Sequence, residues 1–197
     1  MPSLVAQDSE VTRSWVQPMT SRRVEALADR LEQGARAFAA FATGLTDAQW
    51  QTRVPKDGRT VGVLVHHVAI VYPLEIQLAQ RLAAGQAVTD FTRHDVHERN
   101  ATHAWAYAEV TKEAALDLLR HNSAAAATAI RAICDEHLDR AAPVSLYDNT
   151  PLTCQFVLED RVIRHSYHHV EAIRSALQAH DDALERLMRQ LETDAGQ

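Results

Sequence analysis

Apolar residues recur along most of this chain at steps of three and four, the period of one face of an α-helix. From about 20 to 43, Val24, Leu27, Leu31, Phe38 and Phe41 mark a buried side, and Gly44 is a natural stop. Thr46-Asp47-Ala48-Gln49 has the capping-box pattern and starts a short helical turn around Trp50. Val54-Pro55-Lys56-Asp57-Gly58-Arg59 carries the Pro and Asp-Gly signals of a turn. Thr60 then caps a second long helix, about 61–84, ending near Gly85. Its seam is Leu64, His67, Val71, Leu74 and Leu78, and Pro73 is expected to bend it.

Residues 86–99 read as an exposed polar connection. The alanine-rich stretch from about 100 to 138 is helical, with Trp105, Tyr107, Val110, Leu116, Leu119, Ile130 and Ile133 as its apolar positions. It forms either one kinked helix or two, with Thr111 capping the second. Asp139–Asn149 is a connection. Thr150 and Pro151 open the last long helix, about 151–178, followed by a shorter polar helix over 180–193. No segment reads as a β-strand. The expected organisation is an N-terminal arm over 1–19, an all-α up-down four-helix bundle with short extra helices over 20–180, and a C-terminal helix and tail over 181–197.

The last long helix contains an anomaly. Leu158, Val162, His165, His169, Ala172, Ile173 and Ala176 share one stripe, so two histidines stand where a core helix would carry aliphatic residues. His165 and His169 are one turn apart and stack on one face. His67 interrupts the seam of the second helix in the same way. Three imidazoles from two facing helices would close one side of a transition metal and leave the other open, the pattern of a reactive site. The alternative is three core histidines with ordinary hydrogen bonds. His66 is the rival of His67, since a one-residue rotation exchanges them. His168 lies off the stripe and suits a pocket wall. A di-iron bundle would need Glu-x-x-His motifs that the chain lacks. A bis-histidine haem has no CxxCH beside it.

Composition narrows the classes. The 197 residues suffice for one domain with a core, and 46% hydrophobic with 23% charged residues is ordinary for a globular chain. A net charge of −6 argues against nucleic acid as a partner. The longest apolar run, near Val61–Val71, is broken by His66 and His67, and the first residues lack the order of a signal peptide, so no membrane is expected and the cytoplasm is. The two cysteines, Cys134 and Cys154, form no CxxC and read as buried reduced thiols. His94-Asp95-Val96-His97-Glu98 matches no zinc-peptidase order and reads as solvated.

Three segments carry a resemblance: Leu45-Thr46-Asp47-Ala48-Gln49-Trp50, then Thr60-Val61-Gly62-Val63-Leu64-Val65-His66-His67-Val68-Ala69, and last His165-Ser166-Tyr167-His168-His169-Val170-Glu171-Ala172-Ile173. Over residues 20–180 the chain resembles the DinB/YfiT-like metalloenzyme family, which includes the N-terminal domains of mycothiol-dependent maleylpyruvate isomerases. The family's histidine before an aliphatic-Ala pair matches His67, and its HxxxH matches His165 and His169. The resemblance implies a four-helix bundle of right-handed crossover character, a divalent metal (zinc or nickel), often a homodimer, and transfer or rearrangement of small molecules with low-molecular-weight thiols. Two departures stand out. Glu171-Ala172 replaces a Gly-Gln found in many relatives, and the isomerases carry a C-terminal domain for which this sequence has no room, so isomerase activity is not expected. The functional expectation is a metal-dependent thiol S-transferase. A metal-dependent hydrolase, with Glu171 or Glu159 as candidate base, and a non-catalytic metal-binding stress-response protein are the alternatives. Arg161, Arg164 and His168 are positions from which an anionic thiol could be contacted.

Overall fold

A computed structural model describes residues 21–55 and 57–195. The expected N-terminal arm lies outside the described residues. Four long helices make the bundle: α1 (Arg22–Thr43), α3 (Val61–Ala83), α5 (Lys112–Arg131) and α8 (Arg164–Ala195). α5 and α8 each pack against both α1 and α3, so the first two long helices lie on a diagonal. Shorter elements fill the links: α2 (Asp47–Gln51), α4 (Arg93–Ala106), α6 (Asp135–Leu138), strands β1 (Ala141–Val144) and β2 (Thr150–Thr153), and α7 (Cys154–Val157).

The expected caps are in place. Thr46 and Gln49 form a reciprocal capping box on α2, Thr60 accepts from Val63 N–H on α3, and Thr111 accepts from Ala114 N–H, so the alanine-rich stretch is two helices. α3 ends at Gly85, which takes the left-handed conformation (φ +75°) that closes a helix. Gly62 is required by close approach: a Cβ there would fall within the Trp50 indole, which crosses α3 to donate from Nε1 to Val110 O at 3.1 Å. By length and composition α3 could cross a membrane, contrary to expectation, yet 67% of that apolar window is buried within the bundle, as befits its central helix.

α3 continues through Pro73. Proline has no N–H for the carbonyl four residues back. That carbonyl belongs to Ala69, which is fully buried, and Asn122 Nδ2 from α5 donates to it at 2.8 Å. A side chain of the neighbouring helix thus replaces the missing backbone bond.

Three segments differ from expectation. Residues 93–99, expected as part of a connection, open the helix α4, which Thr92 and Asp95 start with a second capping box. His94 and His97 are nevertheless exposed, as expected. Residues 141–153 are an antiparallel hairpin in which Pro143 faces Pro151. Strands of four residues with a proline in each carry no readable alternation. Asp148 and Asn149 at the hairpin's end both have positive φ, which their short polar side chains tolerate. Pro151 is therefore in a strand, and Thr153 is the cap of the helix. Finally, α7 passes into a π-helical stretch, Leu158–Ile163, and then into α8, which runs unbroken to Ala195 with no division near 178–180.

Asn122→Ala should cost about 1–2 kcal/mol in urea unfolding, the cost of an orphaned buried carbonyl. The same change in a Pro73→Ala background should cost clearly less, because alanine at that position supplies the backbone donor that proline lacks.

Candidate metal centre

α3 and α8 bring His67, His165 and His169 together, with one ring nitrogen of each lying within 4.8 Å of the others. His67 and His169 are buried, and His165 is partly exposed. Two contacts set the rotation of α8 that makes this possible. Tyr72 of α3 shares a buried hydrogen bond with Ser166. Tyr167 lies against Gly34 of α1, where any Cβ would collide with its ring. With Ser166 turned to α3 and Tyr167 to α1, the flanking His165 and His169 face His67.

His165 is oriented by a carboxylate that sequence reasoning missed. Glu75 is 3% exposed, and its Oε1 lies 3.2 Å from His165 Nδ1 and 3.3 Å from Arg161 Nη2. Accepting from Nδ1–H, Glu75 leaves His165 Nε2 as a bare lone pair. The signal was present: Glu75 is the single acid in the apolar run Val61–Ala83. It lies two turns beyond His67, off the seam used to choose candidates.

The donor set fits a divalent ion. His165 Nε2 lies 3.3 Å from His67 Nε2. Two imidazoles on a tetrahedral zinc, each about 2.0–2.1 Å from it, would be roughly 3.3–3.4 Å apart. His67 Nδ1 is buried without a partner. With the proton on Nδ1, two lone pairs face each other, an arrangement that a cation resolves; with it on Nε2, His67 donates to His165 Nε2 and Nδ1 is left as an unmet acceptor. Burial, reinforced by Arg59, pushes His67 well below its ordinary pKa, and burial beside His165 lowers His169 to about 3. Both are neutral at pH 7, the ligating form.

His66 does not join this group. It is buried about 100° further round α3, with Nδ1 2.8 Å from His103 Nε2 and its ring stacked on Tyr107 at 4.0 Å. His103, the buried residue of α4, also lies beside His67, at 5.7 Å between ring centroids. His168 is exposed, 5.2 Å from the His169 ring. Cys154 is buried, with its thiol pushed up to about 11, whereas Cys134 is exposed, contrary to expectation. Neither candidate base is in the site: Glu171 is exposed, and Glu159 pairs with Arg30 at 3.0 Å.

Two cavities meet at the histidines. One, of about 280 Å³, touches all three and is lined also by Arg59, Glu75, Asn100, Tyr147, Arg161 and Arg164. The other, of about 290 Å³, shares His67, Glu75, Asn100, Arg161 and His165, and extends between Val71, Leu74, Leu78, Phe91, Val96 and Leu146. Leu146 and Tyr147 come from the hairpin, Phe91 and Val96 from α4 and its approach. The hairpin and the chain leading into and through the first turns of α4, both read from the sequence as connections, thus complete the cavity walls begun by α3. Of the two arginines expected at the edge, Arg164 pairs with Asp160 at 3.0 Å while Arg161 turns inward to Glu75.

The model of the mycothiol maleylpyruvate isomerase N-terminal domain matches residues 31–173, a span containing all three histidines. The chain belongs to this family. Its DinB/YfiT-like fold is shared with YfiT from Bacillus subtilis, described as "a probable metal-dependent hydrolase with an unusual four-helix bundle topology". The two structures are similar with a TM-score of 0.57 at 18% sequence identity, over 81% of this chain and 84% of YfiT. No curated protein matches the sequence.

His66, His67, His103 and His169 all have lowered pKa values, chiefly through burial, with His103 at about 4. Below the ordinary value near 6.5 the unfolded chain takes up protons that the folded chain refuses. Metal-free protein should therefore hold its full histidine contribution above pH 6.5 and lose stability as pH falls toward 4. Each histidine would contribute a slope of up to about 1.4 kcal/mol per pH unit. Urea midpoints from pH 7.5 to 4.5 measure it.

Proposed function

We propose that this chain is a divalent-metal-dependent enzyme whose ion, zinc or nickel, is held by His67, His165 and His169, and that it transfers a low-molecular-weight thiol to a small-molecule electrophile. The observation that carries this reading is the one-sided convergence of three imidazoles beside a cavity lined by Arg59, Arg161 and Arg164. Four protein ligands would close such a site, and three leave room for a substrate. When bound, the ion would supply Lewis acidity that favours the deprotonated form of a thiol or water reaching it.

The remaining chemistry belongs to the chain. Glu75 keeps the His165 proton on Nδ1 and so keeps Nε2 available. Arg59 and Arg161 provide positive charge where an anionic group of a substrate would lie. Aliphatic walls from α3 keep water from the inner side of the site. Membership of a family named for a mycothiol-dependent isomerase supports a thiol cosubstrate. The free cysteines support a reducing compartment, the cytoplasm.

Hydrolysis is the second reading, favoured by Glu75 Oε2. This buried oxygen has no partner and belongs to a residue lining both cavities. It is a ready acceptor for the proton of an attacking water.

Metal content by mass spectrometry on tag-free protein should show about one divalent ion per wild-type chain and loss in His165→Ala. Thiol-dependent consumption of an electrophile, abolished in His165→Ala, would support transfer, whereas thiol-independent hydrolysis would replace it with the second reading. No ion after reconstitution with zinc and nickel would sink both. Glu75→Gln should weaken metal affinity by about 10–100-fold, measured by chelator competition.

A further inference from the structure

The two cavities share five residues, His67, Glu75, Asn100, Arg161 and His165, and the one away from the histidine cluster adds six apolar side chains that the other lacks. On the histidine side, two guanidinium groups carry buried donors without partners: Arg59 Nη1 and Arg161 Nε. Arg59 uses its other nitrogens on Asp57, at 2.5 and 2.7 Å, and Arg161 uses Nη2 on Glu75. Unmet guanidinium donors in a low-dielectric pocket are costly, and an anion would satisfy them. On the far side six apolar side chains, Val71, Leu74, Leu78, Phe91, Val96 and Leu146, line the chamber together with Gln77 and the charged Arg81, Asp90, Asp95 and Arg99. The apolar part of that wall is suited to apolar surface.

We infer that the site takes an amphipathic organic monocarboxylate, with its carboxylate at Arg59 and Arg161 beside the three histidines and its apolar body in the chamber between α3, α4 and the hairpin. This deepens the function proposed above and rests on it for the position of the reacting centre. The arrangement sorts substrates by both ends. A short carboxylate without an apolar body would leave those six apolar side chains wet. An uncharged apolar molecule would leave both arginines unmatched. One turn of α3 separates His67 from Val71, so the anionic and apolar ends lie on consecutive turns of one helix.

The test is calorimetric titration of zinc-reconstituted protein with butanoate, hexanoate and octanoate, and with the matching primary alcohols. Affinity should rise about 3–4-fold per added methylene. The carboxylates should bind at least about tenfold more tightly than the alcohols. Arg59→Gln should remove that preference while keeping the chain-length trend, and Arg59→Lys should restore part of it. Val71→Phe, which fills the chamber from α3, should flatten the chain-length trend instead. Circular dichroism and metal content establish that each variant is folded and loaded.

Equal binding of acids and alcohols, no dependence on chain length, or an undiminished preference in Arg59→Gln would each overturn the inference. The last result would mean that the carboxylate is held by the ion alone. A wild-type chain that binds no metal refutes the proposed function instead. The metal-free protein titrated in parallel still decides whether the carboxylate site exists.

Discussion

A carboxylate in the interior of a helical bundle is tolerated only when charge and hydrogen bonds compensate its lost hydration. Glu75 meets that condition through His165 and Arg161, and both partners come from the segment of chain that enters α8. The constraint therefore runs both ways. The glutamate holds one imidazole in a single tautomer, and the burial of the glutamate depends on that segment staying in place. Neighbouring contacts share this task, with Tyr72 on Ser166 and Tyr167 on Gly34 preventing α8 from turning about its axis. The histidine cluster thus follows from packing outside it.

α3 is built around the same demand. Its first nine residues, 61–69, are buried, and His66 and His67 present polar rings from adjacent positions, one to α4 and the other chiefly to α8. His66 is satisfied by His103, and His67 meets α8. Pro73 leaves a further polar group unmet at Ala69, which Asn122 satisfies. A helix that reads as uniformly apolar is thus tied to α4, α5 and α8 by polar contacts.

Periodicity exposed the four long helices because their apolar stripes are long enough to average over local exceptions. Caps were legible for α2, α3 and α5, since Thr46, Thr60 and Thr111 stand immediately before regular patterns. The hairpin was not, because four-residue strands with opposed prolines have neither alternation nor propensity. The histidines were legible as intrusions in apolar stripes. Glu75 and His103 were not followed, since each touches the site across helices, and the mutual rotation of helices is a tertiary property. Arg59 looked like a turn residue and is one. Only the fold places its guanidinium beside His67 and His169.

The π-helical stretch Leu158–Ile163 sets the phase between two parts of the cavity. Upstream of it lies the hairpin that contributes Leu146 and Tyr147; downstream lie His165 and His169. A π turn accommodates one more residue than an α turn. Winding the same residues as regular α-helix would shift everything beyond the stretch by about 100° around the helix axis. The histidines would then point along a different radius from the wall they work against. The one extra residue held in this turn is thus what keeps the hairpin and the ligands in phase along one continuous segment of chain.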